Sequence, residues 1–186
     1  MISHYKQYEI EVISDEDYVL NSKDNLNYYQ HVIHDPEDVY QPSAKHGIRV
    51  KENGIEISSV IICASGGATG IYEHSYLIKD GVIFICCTDN VYALQVPSLN
   101  LIWKNSKDWA TCFAIYELDG DLIIYGETTI SRITADGIIK WKFGGRDIFV
   151  TPNDKTVPFK IVENEIILTD WLGYQYRLNA EGQELG

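Results

Sequence analysis

Three groupings of side chains in this sequence of 186 residues are of types that could do chemistry. His31, His34 and Asp35 combine imidazole and carboxylate, the usual oxygen and nitrogen ligands of zinc. A His-x-x-His spacing brings both rings to one side only on a helix, and Asp35-Pro36 opposes helical geometry directly after it. These are read as surface histidines and not as ligands. Asp17, Asp24, Glu37 and Asp38 could offer oxygens to calcium, yet no Asp-x-Asp-x-Asp-Gly order arranges them around an ion, so they read as a solvated acidic edge. Cys112 or Ser65 with His74 is the one set that could pair a nucleophile with a base. Cys112 lies in Trp109-Ala110-Thr111-Cys112-Phe113, a run entering a strand, where a buried small residue is expected. The expectation is no catalytic residue, no metal and no cofactor.

Two further stretches bear on ligands. Ser65-Gly66-Gly67-Ala68-Thr69-Gly70 is glycine-rich, but a phosphate loop needs a helix after its glycines, and Ile71-Tyr72 opens none. It reads as a bend joining two β regions. The second is a set of aromatic and charged residues in polar turns: Trp109, Arg146, Asp147, Trp171 and Tyr174. Trp, Tyr and Arg dominate the energetics of protein interfaces, and turns at one end of repeated sheets form a shared surface. These five are the expected binding surface. Arg146 and Asp147 beside Gly144-Gly145 could also serve to pin their own loop.

The elements that must position these residues are strands. A module of hydrophobic strand, short Asp/Asn/Gly turn and further strands begins near Tyr76, Phe113 and Phe159. Its first turns fall at Asp80-Gly81, Asp119-Gly120 and Glu163-Asn164, which puts Gly81, Gly120 and Asn164 at intervals of 39 and 44 residues. A period of that size marks propeller blades or stacked arrays. Each module has room for four short antiparallel strands, the plan of a blade. Trp103 and Trp141 occupy equivalent repeat positions and should pack between neighbouring modules.

Upstream, Asn53-Gly54 between Ile48-Val50 and Ile55-Ile57 signals a hairpin. Tyr8, Ile10 and Val12 alternate as a strand does, whereas residues 25–38 keep no period of either kind. The sequence thus predicts a single all-β domain over 1–186. It comprises an irregular acidic segment at 1–46, a hairpin and glycine-rich linker at 47–75, and about three four-stranded propeller-like modules at 76–186. Three blades leave open sheet edges. A fourth, irregular sheet from the N-terminal strand and hairpin, closure on a second copy, or a twisted sandwich could each cover them.

Val91-Tyr92-Ala93-Leu94, a turn and then Leu101-Ile102-Trp103-Lys104 resemble the blade motif of quinoprotein-type propellers, and the pattern returns at Ile138 to Trp141. The resemblance covers about 110 residues, Tyr76 to Leu185, and implies blade architecture. Cofactor-binding members have a complete ring with a calcium site and polar cofactor ligands, none of which maps onto this chain. The resemblance therefore implies a cofactor-free scaffold for protein contact. The chain as a whole resembles small bacterial proteins, a likeness that carries no activity.

Charge narrows the partners. Fifteen basic against 27 acidic side chains give a formal net charge of −12. Such a field opposes phosphate backbones and anionic lipid, so neither nucleic acid nor membrane is expected, while it favours encounter with a basic protein. Residues 1–56 carry 11 acids and 5 bases, the densest acidic stretch. No basic, apolar leader follows Met1, and Cys63, Cys86, Cys87 and Cys112 form no C-x-x-C pair, so a cytoplasmic protein with reduced, buried thiols is expected. The leading functional expectation is a non-catalytic recognition protein, for instance an immunity-type inhibitor of a basic toxin. The alternative is a small-molecule or glycan-binding protein, or a weak hydrolase, using Trp109, Trp171 and Tyr174.

Overall fold

The structure is a computed structural model describing residues 1–38, 40–67, 69–108, 110–152 and 157–186. Among these residues every regular element is a strand. Among the described residues no helix is long and apolar enough to cross a membrane.

The first sheet contains β1 (Ile2–Tyr5), β2 (Tyr8–Ser14), β3 (His31–His34), β4 (Ala44–Glu52) and β5 (Ile55–Ala64). Its spatial order is β1-β2-β4-β5-β3, with β3 parallel to β5 and the other pairs antiparallel. Segment 1–46 therefore contributes β1, β2, β3 and the start of β4 besides its loops. β1 and β3 are four-residue strands at the two edges, too short to show alternation.

The remaining sheets follow the repeat. The second holds β6 (Tyr76–Lys79), β7 (Val82–Cys87), β8 (Asn90–Gln95) and β9 (Leu101–Ser106). The third holds β10 (Cys112–Leu118), β11 (Asp121–Gly126), β12 (Thr129–Ile133) and β13 (Ile139–Gly144). The fourth has three strands, β14 (Phe159–Val162), β15 (Glu165–Thr169) and β16 (Gln175–Leu178). Where a fourth strand was expected there is a turn at Asn179–Gln183 and a single bridge between Leu178 and Glu184. Asp80-Gly81, Asp119-Gly120 and Glu163-Asn164 each place both central residues at positive φ, the conformation that matches a tight hairpin to strand twist.

The four sheets stack in chain order, because alternation gives each strand two usable faces. Ile48, Val50, Val60 and Ile62 of the first sheet pack against Ile83, Ile85, Tyr92 and Leu94 of the second. Phe84, Cys86 and Ala93 on the reverse of the second meet Ile115, Leu122 and Ile124 of the third. Ile123, Tyr125 and Ile130 on the reverse of the third meet Ile166, Leu168 and Tyr176 of the fourth. Adjacent Cys86 and Cys87 accordingly enter different cores. All four cysteines are free and buried. The paired tryptophans stitch neighbouring modules: the Trp103 indole N–H donates to Ala135 O (3.0 Å), and the Trp141 N–H donates to Ala180 O (2.9 Å).

Among the described residues no apolar cluster joins the fourth sheet back to the first, so the stack is an open arc. The chain direction sorts its loops into two ends. Tight hairpins such as Asn53-Gly54 and Asp119-Gly120 occupy one end. The other, the connection end, gathers the longer links between sheets, the segment after β3 and the β15–β16 turn.

Candidate functional site

Four of the five expected surface residues, Arg146, Asp147, Trp171 and Tyr174, meet at the connection end; the fifth, Trp109, lies outside the described residues. Two pieces of chain bring them together. One leaves β13 through Gly144-Gly145, and a Cβ at Gly145 would lie 2.9 Å from the Phe149 ring, so only glycine lets the loop close over that buried aromatic. The other is the β15–β16 turn at residues 170–174, where Gly173 takes φ +86° and donates its N–H to Asp170 O (3.0 Å).

A buried carboxylate locks the two. Asp170 is fully buried. Its Oδ1 accepts the Tyr174 backbone N–H at 2.9 Å, and its Oδ2 accepts the Tyr176 hydroxyl at 2.7 Å. The Tyr176 oxygen in turn accepts the Arg146 backbone N–H at 2.9 Å. Trp171 N–H donates across to Ile148 O at 2.8 Å. Tyr125 donates its hydroxyl to Phe149 O from below. Burial raises the Tyr176 phenol above its ordinary value, so it stays a donor to Asp170.

What this frame presents to solvent is apolar and rigidly based. Trp171 is 46% exposed, Leu172 64% and Tyr174 48%. The Arg146 guanidinium lies 4.4 Å from the Tyr174 ring centroid, a cation–π stack. Asp147 Oδ1 accepts the N–H of Ile148 (2.8 Å) and so shapes its own loop. Arg146 is thus both pinned, through its backbone, and displayed, through its side chain. Sequence reading missed Asp170, Leu172 and Tyr176. The Asp-x-x-Gly-Tyr-x-Tyr order was the available signal, since Asp and Gly mark turns, but its carboxylate partners are visible only once the loop folds back.

The other candidates are dispersed. His31 and His34 sit three apart on β3 and so project to opposite faces. Cys112 Sγ contacts Asp89 O at 3.2 Å, Ser65 Oγ donates to Tyr40 O at 3.3 Å, and the His74 ring stacks on Tyr116 at 4.5 Å. Burial pushes the Cys112 thiol well up, away from the nucleophilic thiolate. Among the described residues no three His, Cys, Asp or Glu side chains are placed to share a metal ion.

Neither a family model nor a curated protein matches this sequence. Solved structures do resemble the fold. BamB from Moraxella catarrhalis aligns with TM-score 0.51 at 13% identity, over 75% of this chain and 41% of that one. The computationally designed Ika4 protein aligns with TM-score 0.50 at 9% identity, over 66% of this chain and 77% of that one. A quinohemoprotein alcohol dehydrogenase from Pseudomonas putida aligns with TM-score 0.48 at 18% identity, over 59% of this chain and 19% of that one. The chain is β-propeller-like. At such identities the likeness is one of fold, and the chain spans less than half of the two natural proteins.

Proposed function

We propose that this protein is a non-catalytic recognition module that docks a basic protein on its connection end, with an immunity-type inhibitor of a basic toxin as the concrete form. The observation that carries the reading is the Trp171, Leu172 and Tyr174 surface held on a buried Asp170–Tyr176 lock. Exposed apolar side chains on a fixed backbone lose little entropy on binding, which is how hot spots are built. Charge supplies the kind of partner. Glu16, Asp17, Asp35, Glu37, Glu127 and Asp147 lie in or beside the loops of this end, and the whole chain carries −12. Such a field speeds and selects encounter with positive surfaces. The quinoprotein-type blade pattern is here read as scaffold, without its cofactor.

The test is affinity capture from lysate of the natural source at two salt concentrations, with wild type beside Trp171→Ala/Leu172→Ala. A stoichiometric basic protein should be retained at low salt, weakened at high salt, and lost in the double variant by at least about 30-fold. Capture indifferent to both salt and the double substitution would overturn the reading. Quenching of tryptophan fluorescence by a sugar or small molecule, without any protein retained, would replace it with ligand binding.

A further inference from the structure

A second feature opens on the same end, some distance around the arc. Between the first two sheets lies a cleft of about 250 Å³. Ala64 and Cys63, at the end of β5, and the ring of Tyr92, on β8, form its floor; Asp35, Glu37 and Asp38, after β3, and Lys104, on β9, rim it. Ligand pockets for whole small molecules usually measure about 300–1,000 Å³. This cleft is the size for one side chain.

Its floor holds a polar group without a protein partner. Tyr92 is 2% exposed as a residue, and among the described residues its hydroxyl makes no hydrogen bond yet is not among the fully buried polar atoms, so it opens into the cleft. A hydroxyl that opens into a cleft without a protein partner is free to exchange a hydrogen bond with a group that enters. Burial, with Cys87 and the carboxylates of Asp89, Asp35 and Asp38 adding to it, raises this phenol above its ordinary value and keeps it protonated. The rim is unbalanced. Three carboxylates face one ammonium, and that ammonium, on Lys104, is committed to Asp35 at 3.4 Å and lies 5.8 Å from the Tyr92 centroid. Hydrogen bonds from the Glu37 backbone, then from Lys104, lower the Asp35 value, and those from Ser65 and the Tyr40 backbone lower Asp38, so these two carboxylates stay charged at neutral pH.

We propose that this cleft receives the guanidinium of an arginine side chain from the basic protein partner, an inference that rests on the reading above. A guanidinium presents five N–H donors in one plane, enough to serve the Tyr92 oxygen and the Asp38 and Glu37 carboxylates together. It is also more weakly hydrated than an ammonium and so costs less to draw into a half-open cleft.

The probe is N-acetyl-arginine-methylamide, titrated into the whole protein while backbone amide NMR shifts are followed, with the capped lysine as comparison. Saturable shifts confined to Asp38, Ser65, Asn90 and Tyr92 are expected, with a dissociation constant on the order of millimolar for a single side chain and weaker binding of lysine. Tyr92→Phe and Asp38→Asn should each weaken the probe about 5-fold to 10-fold, and Tyr92→Phe should leave the melting temperature unchanged, because it removes a hydroxyl bonded to nothing. A phenol with a structural role would instead lower the melting temperature. Absence of shifts at these amides, binding untouched by both variants, or lysine binding as tightly as arginine would each overturn the assignment. Probe binding with no basic protein captured would leave the cleft standing and sink the partner reading; a captured partner indifferent to Tyr92→Phe and Asp38→Asn would do the reverse.

Discussion

Asp170 is the residue on which the exposed surface stands, and replacing it separates a structural lock from a passive turn. In Asp170→Ala both acceptors vanish, leaving the Tyr174 N–H and the Tyr176 hydroxyl without the bonds they make at 2.9 and 2.7 Å. Hydrogen bonds to a charged group contribute about 1.5–3 kcal/mol each, and a buried donor left unpaired costs about 1–3 kcal/mol. These overlap, and the Tyr176 ring can shift toward water, so the expected loss is about 3–5 kcal/mol. Asp170→Asn keeps one oxygen for the Tyr174 N–H but turns an N–H toward the Tyr176 hydroxyl, which already accepts from Arg146. Its cost should be about 1–2 kcal/mol. Urea denaturation read by far-ultraviolet circular dichroism gives both values, and amide exchange at Arg146, Gly173 and Tyr174 shows whether the loss is local. Equal costs for the two variants, or a cost below about 1 kcal/mol for alanine, would refute the lock. Protection lost at 146 and 173–174 alone would show the two loops opening as a unit while the stack stays folded.

Two further outcomes follow from the interfaces between sheets. Gly182 has φ +76°, and a Cβ there would come 2.5 Å from Trp141. Gly120 has φ +83° with nothing within 4 Å. Gly120→Ala should cost about 1 kcal/mol from backbone strain alone, and Gly182→Ala about 2–4 kcal/mol by also displacing the indole. Equal melting temperatures for the two would remove Trp141 from the interface energetics. Lys107 is 1% exposed, donates to Gly137 O at 3.2 Å and meets no carboxylate among the described residues. Desolvation, then the neighbouring Lys142 charge, lowers its value below 10.5. The unfolded chain therefore holds this proton more tightly than the folded one. Stability is reduced at neutral pH, and the cost fades as pH rises through the lowered value toward 10.5. Lys107→Met should accordingly stabilise by about 1 kcal/mol at pH 7 and by less at pH 10, measured by urea denaturation at both. A pH-independent difference would sink this account.

How much was legible depended on the range of the signal. The three downstream modules were readable because each pairs a two-residue turn with apolar strands, both local features. Trp103 and Trp141 betrayed the interface by recurring in register. The first sheet was harder: β3 is four residues long, parallel, and reaches β5 through a crossing that leaves no local period. The surface at Trp171 was found by residue type, but its lock was not, since Asp170 and Arg146 are 24 positions apart. The arginine cleft was illegible for the same reason. Asp38 reads alone as a solvated acid and Tyr92 as a core aromatic, and only stacking two sheets puts a bare hydroxyl under a ring of carboxylates.

The two outer faces of the stack differ. The first sheet's outer face is covered by its own chain: Tyr18 and Tyr29 from the loop after β2 pack on Ile61 and Cys63, and the Tyr29 hydroxyl donates to Asp15 at 2.8 Å. The fourth sheet's outer face mixes Lys160, Gln175 and Arg177 with an exposed Val162, and Arg177 pairs with Glu165 at 2.7 Å. The turn end carries two-residue hairpins together with five-residue turns at residues 96–100 and 134–138. The connection end carries the longer links between sheets. There the loops are long enough to carry an aromatic surface over the last two sheets and an acidic cleft over the first two, so one basic partner lying across that end could engage both. Combining Trp171→Ala with Tyr92→Phe tests this directly. A shared partner should lose the product of the two single fold-changes, because sites this far apart act additively; a double variant no worse than the weaker single one would assign the two features to different partners.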